Sequence, residues 1–294
     1  MVGVTIACII PTHCRDQLLQ RALDSVGQQT LTPNLVIVVD DVGSATTRRL
    51  LEQRTDRQGL RYVDSSAATP KGASSSRNAG VAAAPADTEM LAFLDDDDRW
   101  TPSFLEACVD KLHETNADLV AAWGSLELNG EVFSRRLSIR HGLSAPQCLS
   151  RNPGITGSNF VIRRAAFDAI GGFDSQLRVY NDLDFFVRFL EADMSYAVVE
   201  EHLVIQSVDG NDHLSSRGPR RAQGIVAYIA KHRRKLSRVQ LRHLQRDRHL
   251  AERYAGQRLP IRFYHFLMMW AKSSPWHLAS VIKSKCLGRA RMFG

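Results

Sequence analysis

Cysteine is scarce in this sequence. Five are scattered over 294 residues (Cys8, Cys14, Cys108, Cys148, Cys286), odd in number and irregularly spaced. That excludes a disulfide framework and a CxxC zinc module, and it suits a reducing cytoplasm. No apolar run reaches the roughly 18 residues that cross a bilayer. The N-terminal MVGVTIACIIPTHCRD has no basic leader and its apolar run stops at Pro11, so it reads as a first strand rather than a signal peptide. Internal repeats and low-complexity tracts are absent. What is present is ordinary: 44% hydrophobic and 23% charged residues, enough to bury a sizeable core and too apolar for global disorder. The length allows one large domain or two small ones.

The net charge of +7 hides a split. Residues 217–294 carry 19 Lys and Arg against two acids, Asp247 and Glu252; residues 1–216 carry 19 against 29. An acidic body with a basic tail suggests two jobs.

Along the first hundred residues strand and helix signals alternate. Val4–Ile10, Val36–Val39, Leu60–Val63 and Met90–Leu94 are short buried-type strands. Between them lie Leu18 to Val26, with Asp16 as N-cap, Ala45 to Gln53, and Ser74 to Ala84, all spaced for helices. Such alternation predicts a parallel sheet covered on both faces, with ligands at the carboxyl ends of its strands. Pro11, Asp40–Asp41 and Asp95–Asp98 fall at those ends, so three polar clusters should converge on one cleft. Beyond residue 100 the expectations are a hairpin around Asn129–Gly130, a short helix from Arg164 to Ile170, a helix from Asp182 to Leu190, a mobile loop over 207–224 and a basic helix from Leu236 to Tyr254 capped by Gly256.

Three stretches carry chemistry. Asp95–Asp98 sets four carboxylates side by side at a strand end. It is either an acidic capping turn or a site for a divalent cation, since Mg2+ and Mn2+ take oxygen ligands and commonly bind one or two carboxylates plus phosphates. The strand-end position favours the cation. Asp182 opens a helix, as an N-cap does; paired with a metal cluster it becomes a candidate general base. Lys71 to Gly80 offers small residues and two cations before a helix, suited either to an anion at the helix N-terminus or to simple serine capping. It matches neither GxxxxGK[ST] nor GxGxxG.

Together these pieces resemble the family 2 glycosyltransferases of the GT-A fold over roughly residues 4–215. The resemblance rests on Ile9-Ile-Pro-Thr-His13 with Arg15, Val38-Val-Asp-Asp41, Ser76-Arg-Asn-Ala-Gly80, Ala92 to Trp100, Thr156-Gly-Ser-Asn159, Gly171-Gly-Phe-Asp174 and Asn181-Asp182-Leu-Asp184-Phe-Phe-Val-Arg188. It implies an α/β GT-A (Rossmann-like) fold, a mostly parallel sheet flanked by helices. The domain would span 1–215, with a nucleotide-binding half to about residue 100 and an acceptor half after it. A basic α-helical C-terminal extension, 216–294, would follow.

The resemblance also implies roles. Pro11, Thr12 and His13 match the segment along the nucleotide base, with His13 where an aromatic ring stacks on uracil and Arg15 near base or phosphates. Asp41 matches the aspartate that hydrogen-bonds the base, and Asp40 supports its turn. Lys71 and Arg77 match the basic loop and helix near base and phosphates. Asp95 and Asp97 form a DxD motif, with Asp97 the metal ligand and Asp95 and Asp96 toward ribose and metal. Gly157, Ser158 and Asn159 match a loop near donor sugar and acceptor. His213 sits where some members add a metal or phosphate ligand; a solvated loop histidine is the other reading. Asp182 matches the catalytic base, with Asp184 a substitute. Two departures stand out: Asn181 replaces the usual Glu, and Asp41 is followed by Val42-Gly43-Ser44 rather than Gly-Ser.

The implied activity is inverting sugar transfer from a nucleoside-diphosphate sugar, UDP favoured, to an acceptor hydroxyl with Mn2+ or Mg2+. The acceptor would be a glycan, a lipid-linked saccharide or a small molecule. A catalytically silent nucleotide-sugar binder and a nucleotide-sugar pyrophosphorylase are the rivals, though the pyrophosphorylase would carry a glycine-rich loop where Ile10-Pro-Thr-His13 stands. The basic tail, with aromatics through Arg258–Trp270 and Trp276, suits either peripheral contact with the inner face of a membrane or packing as a helical extension. No nucleic-acid-binding motif accompanies its charge.

Overall fold

Runs of β-branched residues become the strands of a nine-stranded sheet, and the amphipathic segments between them become its covering helices. The computed structural model describes residues 4–54, 59–208, 218–253 and 259–273. The chain divides into two compact units, Met1–Asn211 and Asp212–Gly294.

The first unit begins with β1 (Ile6–Thr12), α1 (Asp16–Gly27), β2 (Leu35–Asp40), α2 (Ala45–Gln53), β3 (Leu60–Asp64), α3 (Ala73–Ala83) and β4 (Met90–Phe93). β3, β2, β1 and β4 lie side by side and parallel. In this register Thr12 stands opposite Asp40, and Ile9 opposite Phe93. β1 and β2 therefore end level, and the segment after β4, a strand that stops short of them, runs beside Pro11–His13. One expectation fails here. Asp16 is not the cap of α1; Arg15 holds that position without a side-chain bond, and Asp16 Oδ1 accepts from Thr47 Oγ1 at 2.7 Å, tying α1 to α2.

Beyond β4 the sheet changes character. β5 (Asp98–Trp100), α4 (Phe104–Thr115), β6 (Leu119–Leu128), β7 (Glu131–Leu137), α5 (Ala145–Cys148), β8 (Phe160–Arg163), α6 (Arg164–Ala169), α7 (Asn181–Glu191) and β9 (Tyr196–Ser207) complete the unit. The order across the sheet is β3-β2-β1-β4-β8-β6-β9-β5, with β7 on β6. β8 is antiparallel to β4 and to β6, β5 to β9 and β7 to β6; only β6 and β9 run parallel in this half. The sheet is thus parallel through its first half and mixed beyond it. Asn129 and Gly130 both take positive φ, as a tight two-residue hairpin turn requires.

Alternation along β1 divides its side chains between two cores. Ile6, Cys8 and Ile10 join Leu19, Leu23 and Phe104 under α1 and α4. On the other face, Phe93, Phe160, Phe167, Phe173 and Phe185 form a cluster with ring centroids 4.4–6.0 Å apart. Burying each such ring is worth roughly 1.5–3 kcal/mol. Gly80 of α3 lies against β1; a Cβ there would sit 2.4 Å from Ile9 Cγ2, so only glycine permits the approach.

The second unit contains α8 (Pro219–His232), α9 (Arg238–Arg253) and α10 (Leu259–Ala271). α9 packs against both α8 and α10. The expected loop over 207–224 is corrected in part. Residues 219–224 are the first turns of α8, with Pro219 at a position where its missing N–H costs nothing. Residues 209–217, with His213, lie outside the described residues, as do Gly256 and Trp276. Among the described residues no helix is long and apolar enough to cross a membrane.

Candidate active site

The carboxyl ends of β1, β2 and β4 meet the N-terminus of α7, and a chain of ion pairs runs across the junction. It starts at the rim. His13 Nδ1 lies 2.5 Å from Asp41 Oδ1, with the imidazole 70% exposed. Asp41 is placed by its buried neighbour. Asp40 accepts hydrogen bonds from the amides of Val42 and Ser44 and from the Tyr62 hydroxyl, which fixes the Val42-Gly43-Ser44 turn and turns Asp41 toward His13. Lys71 Nζ donates to the Asp41 carbonyl at 3.2 Å.

The next link joins β1 to the aspartate run. Asp96 is buried and points back into the fold, accepting from Thr12 Oγ1 at 2.8 Å and from the His13 amide at 3.3 Å. Arg15 Nη1 reaches Asp96 at 3.2 Å and Asp97 at 2.8 Å. Burial, reinforced by Asp97, raises the Asp96 carboxyl to about 6 despite Arg15. Asp96, expected toward ribose and metal, is buried and braces the β1 end from inside.

Asp95, Asp97 and Asp98 each place a carboxylate oxygen within 4.8 Å of the others. Asp98 is the residue the sequence did not single out. It begins β5, is buried, accepts from Gln206 Nε2 at 3.2 Å, and is held well above the usual carboxylate range by burial and by Asp97 and Asp95. Its place in the run of four aspartates is the signal the sequence carries. Three converging carboxylates form an all-oxygen donor set, which fits a hard divalent cation.

The last link is Arg77. Its side chain is 2% exposed. It donates to Asp95 Oδ1 at 2.5 Å and to Asp182 Oδ1 at 3.1 Å, and its guanidinium stands 5.0 Å from the Phe173 ring centroid. Arg77 was expected near base and phosphates. The structure places the charge inside the fold, engaged by two carboxylates. Gly157 makes room for it, since a Cβ there would lie 1.9 Å from Arg77 Nη2.

Asp182, in the first turn of α7, is 22% exposed and open to the cleft. It does not cap its helix; Tyr180, at φ 59°, holds that position. Burial, opposed by Arg77 and aided by Asp95, raises its carboxyl to about 6. The neutral Asn181 is explained by its surroundings: it is buried, bonding Ser74 Oγ with Nδ2 and accepting from the Asp182 amide. A glutamate there would add a second buried charge beside Asp182. Asp184 is removed as a substitute base, for it is wholly buried and paired to Arg188 Nε at 2.8 Å.

The 156–159 loop underlies the site rather than lining it. Ser158 Oγ accepts from the Asp95 amide, the Ser158 carbonyl accepts from Trp100 Nε1, and Asn159 ties Ala122 to Gly154. Asn78 holds the Gly171–Asp174 segment through both polar atoms on the Phe173 backbone.

Comparison with known proteins bears on this arrangement. The model of glycosyl transferase family 2 matches residues 7–171, and that of glycosyl transferase family group 2 matches residues 90–288. The succinoglycan biosynthesis protein ExoW of Rhizobium meliloti is 33% identical over 128 residues, 42% of this chain and 38% of that protein, so the chain spans well under half of that relative. Among solved structures, the mannosyltransferase PcManGT from Pyrobaculum calidifontis, in complex with GDP-Man and Mn2+, superposes with a TM-score of 0.62 at 19% identity, covering 99% of this chain and 82% of that one. TarS from S. aureus in complex with UDP-GlcNAc gives 0.59 at 16% identity, covering 90% and 70%.

Proposed function

The chain belongs to the family 2 glycosyltransferases, and from that premise we propose that it is an inverting, divalent-cation-dependent enzyme with Asp182 as its general base. It is a glycosyltransferase of mixed α/β fold that uses a nucleotide-sugar donor. One observation carries the finer reading: a single buried guanidinium, Arg77, holds Asp182 and Asp95 together at the end of β4. The base and the carboxylates of the donor's diphosphate site thereby share one rigid anchor.

The proposed chemistry is one displacement. Asp182 accepts the proton of an acceptor hydroxyl, the oxygen bonds to the anomeric carbon, and the bond to the diphosphate breaks on the opposite face. A carboxyl raised to about 6 is a better proton acceptor than an ordinary aspartate and is still ionised at neutral pH. Asp95, Asp97 and Asp98 would hold a divalent cation, which would supply charge neutralisation to the departing diphosphate. Arg15 is partly exposed beside Asp97 and serves the phosphates. His13 and Asp41 at the rim receive the base, with Pro11 and Thr12 along its edge and Lys71 behind.

A UDP-sugar is the proposed donor, and a cell-surface polysaccharide or its lipid-linked precursor the proposed acceptor, by analogy with the succinoglycan protein. The helix α10 supports a membrane address. Its Ile261, Phe263, Tyr264 and Leu267 are exposed on a unit rich in Lys and Arg, a combination suited to an anionic bilayer surface. Nucleotide release from UDP-, dTDP- and GDP-sugars, with Mn2+ and with EDTA, tests the proposal. Metal-dependent release from one donor supports it. Metal-dependent nucleotide binding without turnover, with any acceptor, would leave a silent binder.

A further inference from the structure

Away from the cleft, three metal-ligating side chains meet within the second unit. His249 and Glu252 lie three residues apart on α9, so they project from one face. His265 of α10 faces them. His249 Nδ1 and His265 Nδ1 are 3.0 Å apart; Glu252 Oε2 is 2.9 Å from the second and 3.5 Å from the first. We propose that His249, Glu252 and His265 form a binding site for a transition-metal dication, zinc by preference, that fastens α10 to α9.

The geometry supports this in three ways. Bonds of 2.0–2.2 Å from a tetrahedral zinc place its ligand atoms about 3.3 Å apart, and the three observed separations bracket that value. The two Nδ1 atoms share one hydrogen bond, so at least one imidazole is unprotonated at Nδ1, and with both protons on Nε2 both Nδ1 lone pairs would face the ion. Glu252 Oε2 is buried and accepts no hydrogen bond, an expensive state for a carboxylate oxygen that a cation would relieve. The second oxygen, Oε1, is 3.5 Å from Arg248 Nε, which leaves Oε2 for the ion. Two imidazoles and a carboxylate are the donor set for zinc or cobalt, whereas magnesium and manganese favour the all-oxygen cluster of the cleft. Three protein ligands leave a fourth position for water.

The alternative is a plain ion pair, with a protonated His265 on Glu252. The two are separated by titrating the full chain, stripped with EDTA, with Co2+ in the presence of excess Mg2+. The expected result is one Co2+ per chain with the strong visible absorption of a tetrahedral ion, displaced by one equivalent of Zn2+. His265→Ala and Glu252→Gln should each weaken binding at least about tenfold, a conservative expectation given that loss of an outer-shell partner costs 10–100-fold. Asp97→Ala should leave the absorption unchanged. Glu252→Gln retains the side-chain shape, so it reports on the site even if His265→Ala folds poorly. No tetrahedral absorption in the unmodified chain overturns the proposal. So does an absorption that survives both substitutions, or one that disappears in Asp97→Ala.

Discussion

Arg77 decides more of the candidate site than any other side chain. Buried arginine is rare unless paired, and here two carboxylates and an aromatic face pair it. Removing it leaves Asp95 and Asp182 facing each other at low dielectric. Arg77→Ala should therefore cost about 3–5 kcal/mol of stability, read by urea denaturation. Gly157→Ala should approach the same loss, because its Cβ would occupy the guanidinium's space. Asp182→Asn keeps the shape but removes the proton acceptor. Turnover should fall at least about a hundredfold while donor affinity, measured by calorimetry, stays within a factor of about three. For the unmodified enzyme the rate should rise with pH through about 6 and level off above, as Asp182 loses its proton.

Asp96 carries the complementary stability prediction. Its carboxyl sits near 6 when folded against an ordinary 3.8, so the folded state holds its proton longer. Stability from this group is greatest below pH 4 and falls as pH rises to about 6. The loss is on the order of 3 kcal/mol by linkage. Asp96→Asn should flatten that decline in denaturation series at pH 4.5 and 7.5. Within the aspartate run, four identical residues differ only in where the turn aims them, and composition holds no trace of that. This is why the sequence marks Asp95–Asp98 as one cluster without separating the inward Asp96 from its neighbours. Arg77 is alike: sequence marks a cation, while its burial is set by Gly157 and Phe173, distant in the chain.

At the scale of elements, the strands that sequence reveals are short apolar runs, most of them buried on both faces. β1, β2 and β4 are unbroken apolar runs, and the helices between them carry clear one-sided periodicity. β9 is interrupted by two adjacent exposed residues, Glu200 and Glu201, that break the alternation a sequence-based strand needs. α8 hid behind a polar, glycine-bearing start. α10 invites its own test. With Phe263 60% exposed, the double substitution Phe263→Asp and Leu267→Asp should abolish sedimentation with anionic vesicles while leaving nucleotide binding intact. Retention of vesicle binding by the variant would remove α10 from that role.

For the molecule as a whole, the convergence of Pro11–His13, Asp40–Asp41 and Asp95–Asp98 on one edge followed from the parallel order of four strands. The mixed pairing beyond β4 did not: apart from the β6–β7 hairpin, no turn signal in the sequence marks which strands become neighbours there. Chelation supplies the global test of function: EDTA should abolish nucleotide release, and Mn2+ or Mg2+ should restore it.

The row of ion pairs has a consequence for how ligands arrive. Asp97 meets Arg15 and Asp95 meets Arg77 before any donor enters, so each of these two carboxylates already has a counter-charge. Loading the cleft is an exchange of counter-charges rather than a neutralisation. A metal ion alone must draw Asp97 away from Arg15, leaving the guanidinium with Asp96; a diphosphate alone must compete with Asp97 for it. Arriving together, the ion takes the carboxylate and the phosphate takes the arginine, so each partner's affinity should rise steeply in the presence of the other.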